Sequence, residues 1–240
     1  MYKYVIKRLL LMIPILLGVI LIVFTIMNVT PGDPGRQMLG MSAPQEAVDA
    51  LNEELGYNDP FPIRLLNYLK DLVHLDFGNS YRTNQPVFDE IINRFPVTLK
   101  LAIGTMILTI LIGIPLGVLA AVRQYSKLDM ISTFTALLLA AAPSFWLALL
   151  MILLFSLRLD LLPPNGIGSF SHYIMPMLTQ AVVYAASTLR MTRTTMLEAI
   201  RQDYVRTARG KGASEARVIW GHAIKNAMLP VITSLGMSFG

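Results

Sequence analysis

Cysteine is absent from this chain, and with it go disulfides, thiolate metal sites and any redox role carried by sulfur. Charge is scarce: Asp, Glu, Lys and Arg make up 15% of the 240 residues, against 54% hydrophobic ones. The mean hydropathy is positive, which excludes an ordinary soluble domain and makes this a membrane protein. No Gly-rich loop followed by Lys and Ser or Thr occurs, and the glycines of RGKGAS lack the spacing and the preceding strand of a phosphate cradle, so no nucleotide site is expected. His74, His172 and His222 stand without a second ligand at metal spacing, which assigns them surface or packing roles and leaves no metal or cofactor expected. Ser144 and His172 lack a Gly-x-Ser-x-Gly elbow and a partner acid, against an intramembrane hydrolase.

Long uncharged runs dominate what is there. Residues 9–29 follow Lys3, Lys7 and Arg8 as the core of a secretory signal would, but the run is too long at about 20 residues and no small-residue cleavage pattern follows, so it is read as a retained span. Further runs cover 101–122, 130–157 and 174–189, and another opens at Ala227 and continues to Gly240. That last one is too short to cross a bilayer alone, so either it re-enters or the natural terminus lies further on, and the second is expected. No ionisable group lies inside the long runs, whereas ion-coupled secondary transporters place such groups at the membrane midplane. The absence favours a translocator powered from outside the membrane, with a pore lined by hydroxyls such as Ser132, Thr133 and Thr135 left open. Pro115 and Pro143 interrupt their runs and predict kinks, with a hinge role open as well. Gly104, Gly113 and Gly117 with Ala120 and Ala121 form a small-residue face suited to close helix packing more than to lining a pore.

Basic residues set the expected orientation. An inside N-terminus puts Lys3, Lys7, Arg8, Arg123, Lys127, Arg190, Arg193, Arg201, Arg206, Arg209, Lys211, Arg217 and Lys225 in the cytoplasm and most of the carboxylates outside. The expected domains are then a cytoplasmic N-terminus and first span over 1–29, an extracytoplasmic helical segment over 30–95, and a transmembrane domain over 96–240 with a cytoplasmic loop at 198–226. In the external segment, Ser42, Pro44 and Gln45 predict a capping-box start with proline in the first turn. Val48, Leu51 and Leu55 follow on one face before Gly56 ends the helix. A second amphipathic stretch over 63–75 carries Leu65, Leu66, Leu69, Leu72 and Val73, and a third is expected over 86–94. These helices would cap the bundle or receive a partner from outside.

The cytoplasmic loop is the most informative part. Residues 197–209 predict a helix continuing out of the membrane; Gly210 and Gly212 break it, and Ser214 caps a second helix with Glu215 in its first turn. Such a basic hairpin could bind DNA as a helix-turn-helix, but tethering between spans argues against nucleic acid. A rigid corner at the bilayer surface instead fits a groove on another protein and passes rigid-body motion to the spans it joins. A plain membrane scaffold would show no dependence of any flux on the Gly212 corner.

Taken in order, NVTPGDP (28–34), HLDFGNSYRTNQPV (74–87), RFPVTLKLA (94–102), GIPLGVLAA (113–121), PSFWLALL (143–150) and DYVRTARGKGAS (203–214) resemble the permease subunits of ATP-binding-cassette importers, in their peptide and nickel branch. The resemblance implies an all-α, polytopic transmembrane helical bundle of the MetI-like type, with about five spans begun here and a sixth beyond Gly240. The 203–214 motif is similar to the importers' Glu-Ala-Ala-x-x-x-Gly coupling loop, of which Ala208 and Gly212 are kept while Arg206 and Thr207 replace the first two positions. His222, Ala223, Ile224 and Lys225 stand where the wider motif ends in Ile-x-Leu-Pro. Both departures resemble habits of the peptide and nickel branch. Implied partners are two ATPase subunits, a second homologous permease, an extracytoplasmic solute-binding protein and the lipid bilayer. Peptides are the first expected cargo and nickel or its chelates the second, with ATP hydrolysis left to the partners. In the coupling loop, Tyr204, Val205, Ala208, Gly212 and Ala213 are expected to form the docking surface. Arg201, Asp203, Arg206, Arg209 and Lys211 would orient it, with Thr207 and Ser214 completing the loop.

Overall fold

The computed structural model describes residues 2–30 and 32–239. Pro31 of NVTPGDP, Gly240 at the end of the last apolar run, and Met1 lie outside the described residues. Among those described, the chain is helical, with one isolated antiparallel bridge between Asn79 and Pro86. It divides into two compact units, Met1–Phe95 and Pro96–Gly240.

In the first unit, α1 (Tyr2–Val29) is apolar all round beyond Arg8 and buries none of its residues within the protein, the pattern of a helix solvated by lipid. After it the chain folds on polar chemistry. Asp33 caps α2 (Pro34–Leu39) by accepting from the Arg36 amide at 3.0 Å and from Asn52 Nδ2 at 2.7 Å, while the Gly35 amide donates to Asn52 Oδ1 at 2.8 Å. These bonds, that from the Arg36 amide first, hold the Asp33 carboxyl below its ordinary range. A Cβ on Gly35 would lie 2.8 Å from the Val48 carbonyl, so glycine is what lets α2 touch α3 (Gln45–Glu54). The expected capping box is corrected here: α3 begins with Pro44 in the cap position and no side-chain cap bond, and Gln45 instead pairs with Arg36. Gly56, at φ +66°, lies just past the end of α3, as expected.

The second amphipathic helix, α4 (Phe61–Val73), starts earlier than the apolar stripe indicates because Pro60 and Pro62 fix its first turn, and it stops at His74 before Leu75 takes φ +61°. Leu66 and Val73 turn outward, while Phe61 and Tyr68 meet Phe24 of α1 at ring-centroid distances of 5.5 and 5.4 Å. Next, HLDFGNSYRTNQPV forms a tight turn closed by the Ser80 amide on the Gln85 carbonyl and the Val87 amide on the Gly78 carbonyl, each at 3.0 Å. The helix expected over 86–94 is not separate. It is the start of α5 (Val87–Val122), 36 residues running through Pro96 and Pro115 without a break.

The second unit holds most of α5 with α6 (Lys127–Ala141), α7 (Ser144–Met151, continuing as a π-helix over Ile152–Arg158), and α8 (Ser171–Ile200). Beyond these come α9 (Asp203–Gly210), α10 (Glu215–Arg217, continuing as a π-helix over Val218–Ala223) and α11 (Ile224–Phe239). α1 and α5 are each long and apolar enough to cross a membrane, and α6 with α7 passes the same test as a pair bent by 102°. The 130–157 run is therefore two helices: Ala142 and Pro143 are extended, so Pro143 ends one helix and starts the next, while Pro115 is absorbed. The 30-residue α8 carries the most buried residues of any helix and is the central post of the unit.

Candidate functional site

The α5–α8 seam is built by absence of side chains. A Cβ on Gly104 would lie 2.4 Å from Met177 Sδ. On Gly113 it would lie 2.8 Å from Thr188 Cβ, and on Gly117 2.6 Å from Thr192 Cβ and 2.7 Å from the Leu189 carbonyl. The two helices thus run parallel in one fixed register, glycine against threonine, which realises the close packing read from the small-residue face.

Past Gly117 the seam widens into a core. Val118 and Ala121 of α5, Met196 and Ala199 of α8, Val205 of α9, Val218 and Ala223 of the second π-helix and Ala227 of α11 form one buried cluster. The hairpin is seated on the ends of three long helices by this apolar underside. Its path differs from a helix continuing through 197–209: α8 stops at Ile200, Gln202 is extended (ψ 152°), and α9 starts afresh at Asp203. Gly210 closes α9 with ordinary backbone, so the break belongs to Gly212, whose φ is +79°. Ser214 occupies the next cap position without a side-chain bond; across the corner Arg209 donates from Nε to Glu215 Oε1 at 2.7 Å and from Nη2 to Oε2 at 3.2 Å. Those hydrogen bonds hold the Glu215 carboxyl below its usual range and raise the Arg209 guanidinium.

This arrangement sorts the residues singled out in the loop. Val205 is fully buried, and Ala208 and Ala213 pack against the same cluster, so they form the underside and not an outer surface. Tyr204, Arg206, Thr207, Lys211 and Gly212 face outward with Arg201, Asp203 and Ser214. Arg206 lies 3.7 Å from Asp203, and Thr207 Oγ1 donates to the Asp203 carbonyl at 2.9 Å. Beside Tyr204 a cleft of about 310 Å³ opens between Glu198, Gln202 and Asn226. Trp220, 54% exposed, stands on the following π-helix.

Two features escaped the sequence reading. The first is a buried ion pair: Arg193 of α8 donates to both carboxylate oxygens of Asp129, at 2.5 and 2.8 Å, and Asp129 also accepts from the Tyr125 amide at 3.0 Å. Both residues flank the uncharged runs, and the Ser126-to-Asp129 spacing was a visible cap signal, with Ser126 accepting from the Asp129 amide at 3.3 Å. The second is a cavity of about 380 Å³ at the far end of the same unit, enclosed by α5, α8 and α11. Thr98, Thr105 and Thr109, Gln180, Tyr184 and Thr188, and Ser238 supply its polar lining. Their spacing of four along α5 and α8 was legible as helix faces. Ser132 and Thr133 are instead engaged locally, with the Leu128 carbonyl and with Asp129. His172 hydrogen-bonds Ser169 Oγ at 2.9 Å and His74 the Lys70 carbonyl at 2.8 Å.

Comparison with known proteins bears on what such a unit does. A family model described as "Binding-protein-dependent transport system inner membrane component" matches residues 113–240, and its N-terminal companion matches residues 1–102. The chain is 40% identical to an oligopeptide transport system permease protein of Bacillus subtilis over 99% of its own length and 78% of that protein. It is 36% identical to a dipeptide transport system permease protein of Alkalihalophilus pseudofirmus, covering all of this chain and 80% of the relative. A glutathione transport system permease protein of Escherichia coli is 39% identical, over 100% of this chain and 78% of that one.

Proposed function

The chain belongs to the binding-protein-dependent transport system inner membrane components, and from that premise we propose that it forms one half of a peptide-conducting pore whose power stroke enters through the α9 hairpin. It is a multi-pass permease subunit of an ATP-binding-cassette importer in the inner membrane. Peptides rather than nickel are the proposed cargo because the relatives named above transport oligopeptides, dipeptides and glutathione.

One observation carries the mechanical part: the underside of the hairpin is continuous with the core joining α5, α8 and α11. Two ATPase subunits, one beneath this chain and one beneath a second, homologous permease, close on ATP and push on Tyr204, Arg206, Thr207 and Lys211 around the adjoining cleft. Arg201, Asp203 and Arg209 orient that face, Val205, Ala208 and Ala213 pass the displacement inward, and Gly212 sets the corner with Ser214 behind it. The N-terminus and the 198–226 loop lie in the cytoplasm, supported by the concentration of Lys and Arg there. Residues 30–95 lie outside, where a solute-binding protein delivers cargo. ATP is hydrolysed by the partners, and this chain supplies motion and passage.

Gly212 provides the test. No heavy atom lies within 4 Å of where its Cβ would be, so a substitution is opposed by backbone conformation and not by lack of room. In the reconstituted complex, Gly212→Val is expected to reduce substrate-stimulated ATP hydrolysis and uptake together, while Gly212→Asn, which tolerates positive φ, retains most of both. Unchanged hydrolysis and uptake with valine would refute the coupling role.

A further inference from the structure

Several hydroxyls of the membrane helices are engaged by their own backbone. Thr25, Thr179, Thr194 and Thr233 each donate to the carbonyl four residues earlier, at 2.6 to 3.1 Å. Thr109 does not. Its side chain is 1% exposed, its Oγ1 has no hydrogen-bond partner, and it lines the cavity between α5, α8 and α11. A buried hydroxyl left unpaired forfeits the hydrogen bond it would make in water, so the Thr109 position awaits a partner that enters the cavity. Around it stand Thr105, Gln180, Tyr184 and Thr188, and no formally charged side chain is among the residues lining the space.

We propose that this cavity is a backbone-reading subsite, which holds a passing peptide by its amide groups and ignores its charges. The proposal rests on the peptide reading above and names the chemistry by which this half of the pore recognises its cargo. Hydroxyls and a carboxamide each donate and accept, so they satisfy both the N–H and the C=O of a peptide bond whatever side chains flank it. A lining without charge holds neither terminus, which lets the cargo leave once the helices move. Leu101, Met106, Leu235 and Phe239 complete the walls with apolar surface that accommodates varied side chains. The volume, about 380 Å³, falls in the range of sites that enclose small ligands.

The experiment uses the full importer in proteoliposomes, with the solute receptor saturated by either of two peptides of equal sequence, one N-methylated at its internal amides. The wild type is expected to import the unmethylated peptide faster by about fivefold, the value of one ordinary hydrogen bond. Thr109→Val, which keeps the shape and removes the hydroxyl, is expected to bring that preference close to parity, and Thr109→Ser to restore it. Gln180→Met, on an exposed face where folding is not at risk, tests the same preference independently. An unchanged preference in both Thr109→Val and Gln180→Met overturns this inference alone. A wild-type complex that imports neither peptide overturns the peptide reading and, with it, this one.

Discussion

The two ends of the second unit are filled in opposite ways. At the hairpin end, small and branched apolar side chains from α5, α8, α9 and α11 close into a core in which Val118, Met196, Val205, Val218 and Ala223 are almost wholly excluded from solvent. At the other end the same α5, α8 and α11 stand apart around an open space lined by hydroxyls and a carboxamide. Between Thr188 at the cavity and Ile200 at the hairpin lie about three turns of α8, roughly 18 Å. In the proposed reading, the dense end receives force because it cannot deform, and the open end meets cargo because it has room and unspent hydrogen-bonding capacity.

The sharpest way to break this contrast is to disrupt what connects the two ends. Gly117→Leu drives a side chain into Thr192 and the Leu189 carbonyl, and is expected to destabilise the unit by more than about 3 kcal/mol, read as loss of the assembled complex or a large fall in thermal midpoint. Next in size is Arg193→Gln, which leaves Asp129, 5% exposed, without its counter-charge. A loss of about 2–3 kcal/mol is expected, at the low side for a buried pair because Arg193 itself is 23% exposed. Adding Asp129→Asn should recover much of that loss in a double-mutant cycle, and strict additivity would show that the pair does not couple α6 to α8.

The smallest effect belongs to the corner clamp. Because Arg209 lowers the Glu215 carboxyl in the folded state, its contribution is complete above the ordinary carboxylate range and fades only as pH falls through the lowered folded value. Protection of the Gly212 and Ala213 amides, with the intrinsic pH dependence of exchange divided out, is therefore expected to persist through mildly acid pH and to fall below it. In Glu215→Gln that acid step should vanish, with little change in overall stability since the pair is largely exposed.

Much of this was legible in the sequence, for physical reasons that differ by element. Apolar runs announce themselves because lipid tolerates little charge, so the long helices were located well. Gly212 was identified as a corner because helices rarely continue through a left-handed residue. Other details depend on tertiary context. Hydropathy carried 130–157 as one run, since Pro143 can kink or terminate, and only neighbouring helices decide which. The loop residues Val205, Ala208 and Ala213 were read as outward because a short amphipathic helix does not reveal which of its faces is inner. The Asp129–Arg193 pair and the Thr109 cavity were invisible for a related reason: each joins residues of helices far apart in the chain, 64 positions for the ion pair, and their meeting is a property of helix register.

The glycine–threonine interlock between α5 and α8 also limits how these helices can move. Rolling either helix about its own axis would swing a Thr188 or Thr192 methyl into its partner's backbone, and sliding by a turn would set the larger Tyr184 against Gly113 or Met196 against Gly117. What remains is tilting, with the pair swinging as a single keyed lever. In the proposed reading, a displacement beneath α9 would then reach the cavity end as a swing of the whole pair.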